Sequence, residues 1–213
     1  MGIRTAIKPL GAGSSIKVGK IIVNSSGGGV GSFKLKRDAI CRIFLTGSGG
    51  YGGGRANHWS YAGGGGGSGA HLVVDVLLKK GTYYYYGANS VADPNSPEGY
   101  TSDGAWFSPQ SVFSSETAYF HAGGGTKPNW QGGGGAGGSS FIIKNPFGYM
   151  KIIKQVNGNP GTKATAASGT GYGQGGASVD PEYGKGGQGA GVAYNNIGNP
   201  GNPGRITIMY LGR

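Results

Sequence analysis

At 213 residues the chain is long enough for one large domain or two small ones. Fifty of those residues are glycine, against a usual share of about 7%, and 19 Lys and Arg outnumber 8 Asp and Glu, for a net charge of +11 and a pI near 9.7. A single cysteine, Cys41, excludes an internal disulfide, and no stretch approaches the ~18 apolar residues of a membrane-crossing helix.

The positive charge is concentrated early. Residues 1–46 carry Arg4, Lys8, Lys17, Lys20, Lys34, Lys36, Arg37 and Arg42 against Asp38 alone. Either a solvated basic face or a surface for an anionic partner accounts for this balance. No helix-turn-helix, zinc-finger spacing or RNP-like strand accompanies it, so nucleic acid is not expected as a partner. The opening Met1-Gly2-Ile3-Arg4-Thr5-Ala6 lacks the apolar run of a secretory signal, so folding in the cytoplasm is expected.

The apolar runs are short, β-branched or aromatic, and bounded by Gly, Asn, Asp and Pro, which is strand grammar. They predict strands over 15–24, 31–36, 39–46, 70–78, 82–86, 139–144, 150–156 and 205–211, and no helix. Cys41 falls among Ile40, Ile43 and Leu45, where a buried, inert thiol is expected. The run 71–78 alternates poorly and is expected to be buried on both faces. Residues 82–86 hold four consecutive tyrosines, whose side chains must divide two to each face. Eight short strands suffice for an all-β fold of two packed sheets, here expected as an antiparallel β-sandwich of the jelly-roll or TNF-like kind. Phe33, Leu35, Ile43, Leu45, Val74, Val76, Ile142, Ile206 and Ile208 would form its core.

Between the strands lie the glycine blocks, at 47–54, 63–69, 123–125, 132–138, 169–176 and 184–191. Several keep a period of three: Gly47, Gly50 and Gly53; Gly63, Gly66 and Gly69; Gly132, Gly135 and Gly138. Residues 198–204 read G-N-P-G-N-P-G. Three residues per turn is the polyproline-II period. That conformation has no internal hydrogen bonds, so each buried N–H and C=O must find a neighbouring segment, and glycine allows the backbones to come close. Collagen would need uninterrupted triplets and abundant proline, and the chain has 10 Pro. A flexible linker would lack large side chains, whereas Tyr51, Tyr61, Tyr172, Tyr183 and Tyr194 stand in or beside the glycines. The expectation is a set of interleaved polyglycine-II helices.

Signals for catalysis are poor. His58, His71 and His121 are far apart and lack ligand-like spacing. No G-x-S-x-G elbow is present, and no glycine block runs into Lys-Ser/Thr as a phosphate loop would. Asp93, Glu98, Asp103 and Glu116 are the only clustered acids; they read as solvated loop residues, with a glycosidase-like carboxylate pair as the minor alternative. No enzyme activity, cofactor or metal is expected. Aromatic residues stand out instead. Trp59 and Tyr61 lie between two glycine blocks, Tyr100, Trp106 and Phe107 lie in the irregular stretch 89–120, and Trp130 links two further blocks. Amphipathic aromatics on a rigid scaffold suit binding surfaces, and these six are the candidate receptor or partner contacts. The same residues would also serve as caps on the ends of the glycine layer.

Four pieces, in order, resemble the glycine-rich domains of bacteriophage tail-fibre and tail-tip proteins. These are a strand running into glycine over 31–54, glycine block and strands over 63–87, a second block entering a strand over 123–143, and Gly/Pro triplets before the strand at 198–211. The fibre-tip adhesins of T-even type carry similar blocks as a sandwich of polyglycine-II helices with receptor-binding loops. The resemblance implies a virion surface protein, a tail-tip or fibre adhesin. Its partners would be other virion proteins, copies of itself in a homo-oligomer such as a trimer, and a host-cell-surface protein or glycan, without membrane insertion. Residues 1–30, with Arg4, Lys8, Lys17 and Lys20, would then be a basic attachment segment ahead of a glycine-rich domain over 31–213. The alternative is a purely structural subunit that decorates a capsid or forms a filament.

Overall fold

The computed structural model describes residues 17–53, 63–89, 102–128, 133–145, 148–164, 173–189 and 198–212. These residues form ten strands and no helix: β1 Ile21–Ser26, β2 Val30–Leu35, β3 Ala39–Thr46, β4 His71–Leu78, β5 Gly81–Tyr86, β6 Ala105–Ser108, β7 Phe120–Ala122, β8 Ser140–Ile142, β9 Met150–Val156 and β10 Arg205–Gly212. All ladders are antiparallel. One sheet runs β1-β10-β3-β4-β9 and the other β2-β5-β6-β7-β8.

The two sheets bury their facing sides against each other. Cys41, Ile43 and Leu45 of β3 pair with Tyr210, Ile208 and Ile206 of β10, and all six are buried. From the second sheet Phe33, Leu35, Tyr83, Tyr85, Phe107 and Phe120 face them across the core. The four tyrosines divide as the pleat requires, with Tyr83 and Tyr85 buried and Tyr84 and Tyr86 half-buried on the outside. Along β4 only Leu77 is more than slightly exposed, so this strand is covered on both faces. Of the nine core residues expected, Ile142 alone is not fully buried, and it packs against the core edge. Burial pushes the Cys41 thiol up to about 12, consistent with an inert side chain.

Two expectations need correction. The irregular stretch 89–120 in fact contains β6 and begins β7 at its end, so part of it is sheet rather than loop. The segment 1–30 is not wholly separate from the domain, because β1 pairs with β10 along most of its length and Val23 is buried in the core.

Glycine segments leave or enter the strands at one end of the sandwich. The segment 63–70 lies at their centre, and its hydrogen bonds follow a period of three. Gly65 and Ser68 N–H donate to Thr162 and Asn159; Gly66 and Gly69 donate to Gly187 and Gly184; Gly67 and Ala70 donate to Thr126 and Gly123, all at 2.8–3.0 Å. Its carbonyls accept in the same rhythm. Gly53, Gly50 and Gly47 donate to Gly64, Gly67 and Ala70; Gly135 and Gly138 donate to Gly65 and Ser68; Gly173 and Gly176 donate to Gly63 and Gly66. Six neighbouring segments therefore surround one, each bonded at every third residue. This satisfies backbone groups that would otherwise be buried without partners.

Where the first sheet meets this layer, a buried polar cluster ties them together. Thr46 Oγ1 donates to Asp180 Oδ2 at 2.8 Å and lies 2.9 Å from His71 Nδ1. A hydroxyl has one proton, so His71 Nδ1 carries its own and donates to Thr46. Burial lowers the His71 pKa; Lys154 and Arg205 push the same way, and Asp180 opposes.

A histidine whose folded-state pKa lies below its unfolded value favours folding above about pH 6.5, and that contribution is lost as pH falls through the folded-state pKa. His121 behaves alike, with burial taking it from 6.5 to about 4. Urea midpoints should be flat above about pH 7 and decline from about pH 6.5 towards pH 4. For His121 the loss is on the order of 2–3 kcal/mol. His121→Phe, which keeps a ring in place, should flatten that decline; an unchanged slope would show that His121 does not titrate in this way.

Candidate binding surface

β6, β7 and β8 are short, but their register places one ring on each strand in a row. Tyr86 pairs with Trp106, Trp106 with His121, and His121 with Phe141. Val30 continues the row on β2, opposite Tyr86. Because alternate side chains face opposite ways, burial of Phe107 and Phe120 obliges Trp106 and His121 to face outward. The Trp106 and His121 rings stack with centroids 3.7 Å apart and planes at 22°, and His121 and Phe141 lie 6.1 Å apart at 9°. Gly104 makes room for the imidazole: a Cβ there would fall 1.9 Å from His121 Nε2.

The row runs across the outer face of the second sheet, and its ends are open: Val30 is 67% and Phe141 52% exposed. Beside it an open cleft of about 450 Å³ is lined by Trp106, Ser115, His121, Phe141, Ile142 and Ile143. Its volume is within the range of small-molecule sites. With its pKa near 4, His121 is neutral at physiological pH, so the imidazole offers one donor and one acceptor and no charge. The lining is mostly apolar, and Trp106, Ser115 and His121 are the lining residues whose side chains carry polar atoms. Such a surface suits a ligand with a flat apolar face and a hydroxylated rim.

Of the residues singled out from the sequence, Trp106 is on this surface. Phe107 is not: it is fully buried and packed against Phe33, Tyr83 and Phe120, so it cannot contact a receptor. The sequence pairs it with Trp106, but adjacent residues of a strand point to opposite faces. Trp59, Tyr61, Tyr100 and Trp130, and likewise Arg4 and Lys8, lie outside the described residues. Lys17 and Lys20 are exposed at the far end of the sandwich from the glycine layer. Tyr86, His121 and Phe141 were missed because each stands on a different strand and only the strand register lines them up with Trp106.

The remaining chemistry is sparse. Asp103 accepts the Tyr86 hydroxyl at 2.5 Å, and Lys144 Nζ donates to the Glu116 carbonyl. No group of three or more His, Cys, Asp and Glu side chains among the described residues could hold a metal ion. No helix among them is long and apolar enough to cross a membrane. No protein-family model and no curated protein sequence matches the chain.

Proposed function

We propose that the chain is a non-enzymatic structural protein of a virion surface, a phage tail-tip or fibre adhesin that meets its host through aromatic side chains on a stiff glycine-rich scaffold. The observation that carries this reading is the aromatic row with its open cleft, built on a sheet whose neighbouring layer is cross-bonded in every direction. The three-residue period of those bonds supports the polyglycine-II reading of the layer. In such a protein binding energy resides in exposed rings on rigid elements, because little ordering entropy is lost when they engage. A host-surface glycan suits the cleft best, since a sugar ring presents an apolar face and a rim of hydroxyls.

The test is binding of purified protein to intact candidate host bacteria, with a Trp106→Ala/Phe141→Ala variant alongside. Saturable binding weakened about tenfold or more in the variant, at unchanged secondary structure, is the expected result. Full binding by the variant would remove the row from the contact surface. Absence of binding by folded wild-type protein would favour the capsid-decorating or filament-forming role, with the aromatic row as a subunit contact.

A further inference from the structure

The end of the sandwich opposite the glycine layer gathers charge from three separate turns. Lys17 and Lys20 precede β1, Lys36 and Arg37 lie between β2 and β3, and Lys79 and Lys80 lie between β4 and β5; all six are exposed. Strand register brings these turns to one place. Gly19 N–H donates to the Tyr210 carbonyl at 2.8 Å, Gly212 pairs with Ile40, and Ala39 pairs with Leu78. Asp38 joins two of the turns: its carboxylate accepts the Lys80 N–H at 2.8 Å and Lys79 Nζ at 3.0 Å. These two donors hold the Asp38 carboxyl below its usual range. Six cations and one carboxylate leave +5 of the chain's +11 on this end. Exposed apolar side chains stand among them. Val18 is 65% and Ile21 51% exposed, and Tyr149, whose carbonyl accepts the Leu77 N–H, is 43% exposed near the third turn.

We propose that this basic end is a docking surface for an extended acidic segment of a partner protein, with apolar residues interleaved among its carboxylates. The proposal rests on the reading of the chain as a particle-borne surface protein, and it names the chemistry of the attachment partner. Charge argues against a second copy: β1 and β9, the edge strands of the first sheet, carry or adjoin Lys17, Lys20, Lys151 and Lys154 and include no carboxylate. A phosphate backbone would neutralise the lysines and leave Val18 and Ile21 uncovered. The surface is also small. Five strands at ~4.8 Å spacing span about 19 Å, which an extended segment of about six residues crosses. Asp38 fixes the spacing of two of the turns in advance, so less order is lost on binding.

The experiment is fluorescence anisotropy with a labelled peptide of alternating Asp and Val, about eight residues long. A Lys17→Gln/Lys20→Gln/Lys36→Gln/Arg37→Gln variant is compared with Lys144→Gln/Lys151→Gln/Lys163→Gln/Lys185→Gln, which removes the same charge elsewhere. The end variant should weaken binding about tenfold or more and the control less than about twofold. A peptide with Ser in place of Val should bind more weakly than the original. Equal loss in both variants would overturn the proposal by reducing it to net charge. Tighter binding of oligothymidylate with the same mutational pattern would overturn it in favour of nucleic acid, and no binding by wild-type protein would overturn it outright. The substituted side chains are exposed, and near-UV circular dichroism checks that the fold is kept. Adsorption to host bacteria is scored separately on the same proteins, so wild-type protein that adsorbs to bacteria but does not bind the peptide sinks this proposal alone.

Discussion

Gly66→Ala is expected to leave no folded protein. A Cβ at this position would fall 2.2 Å from the Gly50 carbonyl oxygen and 2.7 Å from that of Tyr51, both backbone atoms. Nothing flexible can swing aside. The segment 63–70 also has a bonded neighbour in six directions, so moving away from one contact drives it into another. Separating 47–53 from 63–70 would break bonds at Gly47, Gly50 and Gly53 together. The cost should exceed about 5 kcal/mol, comparable to the whole stability of many domains. Gly81→Ala is the matched comparison. The nearest atom to its added Cβ is 3.9 Å away and its φ is not positive, so it should be neutral or stabilising by up to ~1 kcal/mol. Soluble yield, far-UV circular dichroism and urea unfolding of the two variants decide the matter. A Gly66→Ala protein with wild-type stability would show that the segments are not packed this closely.

Phe107→Ala should destabilise by about 3–5 kcal/mol, through lost transfer energy and the cavity left behind. The ring is fully buried and stacks at 5.5 Å on Tyr83, 5.9 Å on Phe120 and 6.3 Å on Phe33, so it joins three strands of the second sheet to one another. For a chain of this size that corresponds to a fall in Tm of about 10 °C. Trp106→Ala, one residue earlier, should cost less stability and more ligand binding, because its ring faces outward. The two variants together, measured by thermal melts and cell adsorption, separate core from surface at adjacent positions. Similar melting temperatures for both would contradict the assignment of faces.

The long strands were legible because their residues repeat an unambiguous pattern. Over Ala39–Thr46 and Met150–Val156 the expected and observed bounds coincide, and both runs are bounded by turn residues. The three-residue spacing of Gly63, Gly66 and Gly69 likewise announced backbone contacts that the hydrogen bonds then display. β6 and β7 were illegible for a physical reason. Four and three residues are too few to show a period, and Trp106-Phe107 looks like an exposed aromatic pair when one ring is in fact core. The aromatic row could not be read either. It is assembled across strands, from Tyr86, Trp106, His121 and Phe141, and only register makes them neighbours. The basic end has the same origin: Lys36 and Lys79 are far apart in sequence and meet through the pairing of β3 with β4.

β10 is the last strand in sequence, yet it lies between β1 and β3 rather than at an edge. While the protein is being synthesised, β1 therefore has no partner within its sheet until residues 205–212 have left the ribosome. Gly49 and Gly52 wait equally long, since their N–H groups donate to Asn202 and Asn199. At ~5–20 residues per second, translation takes on the order of 10 s or more before these positions are available. Throughout that interval the nascent chain exposes one side of β3 and a row of unpaired glycine amides, both open to misassociation. The hazardous period for this fold is thus set by the speed of translation, and slow codons between those for β1 and β10 would lengthen it.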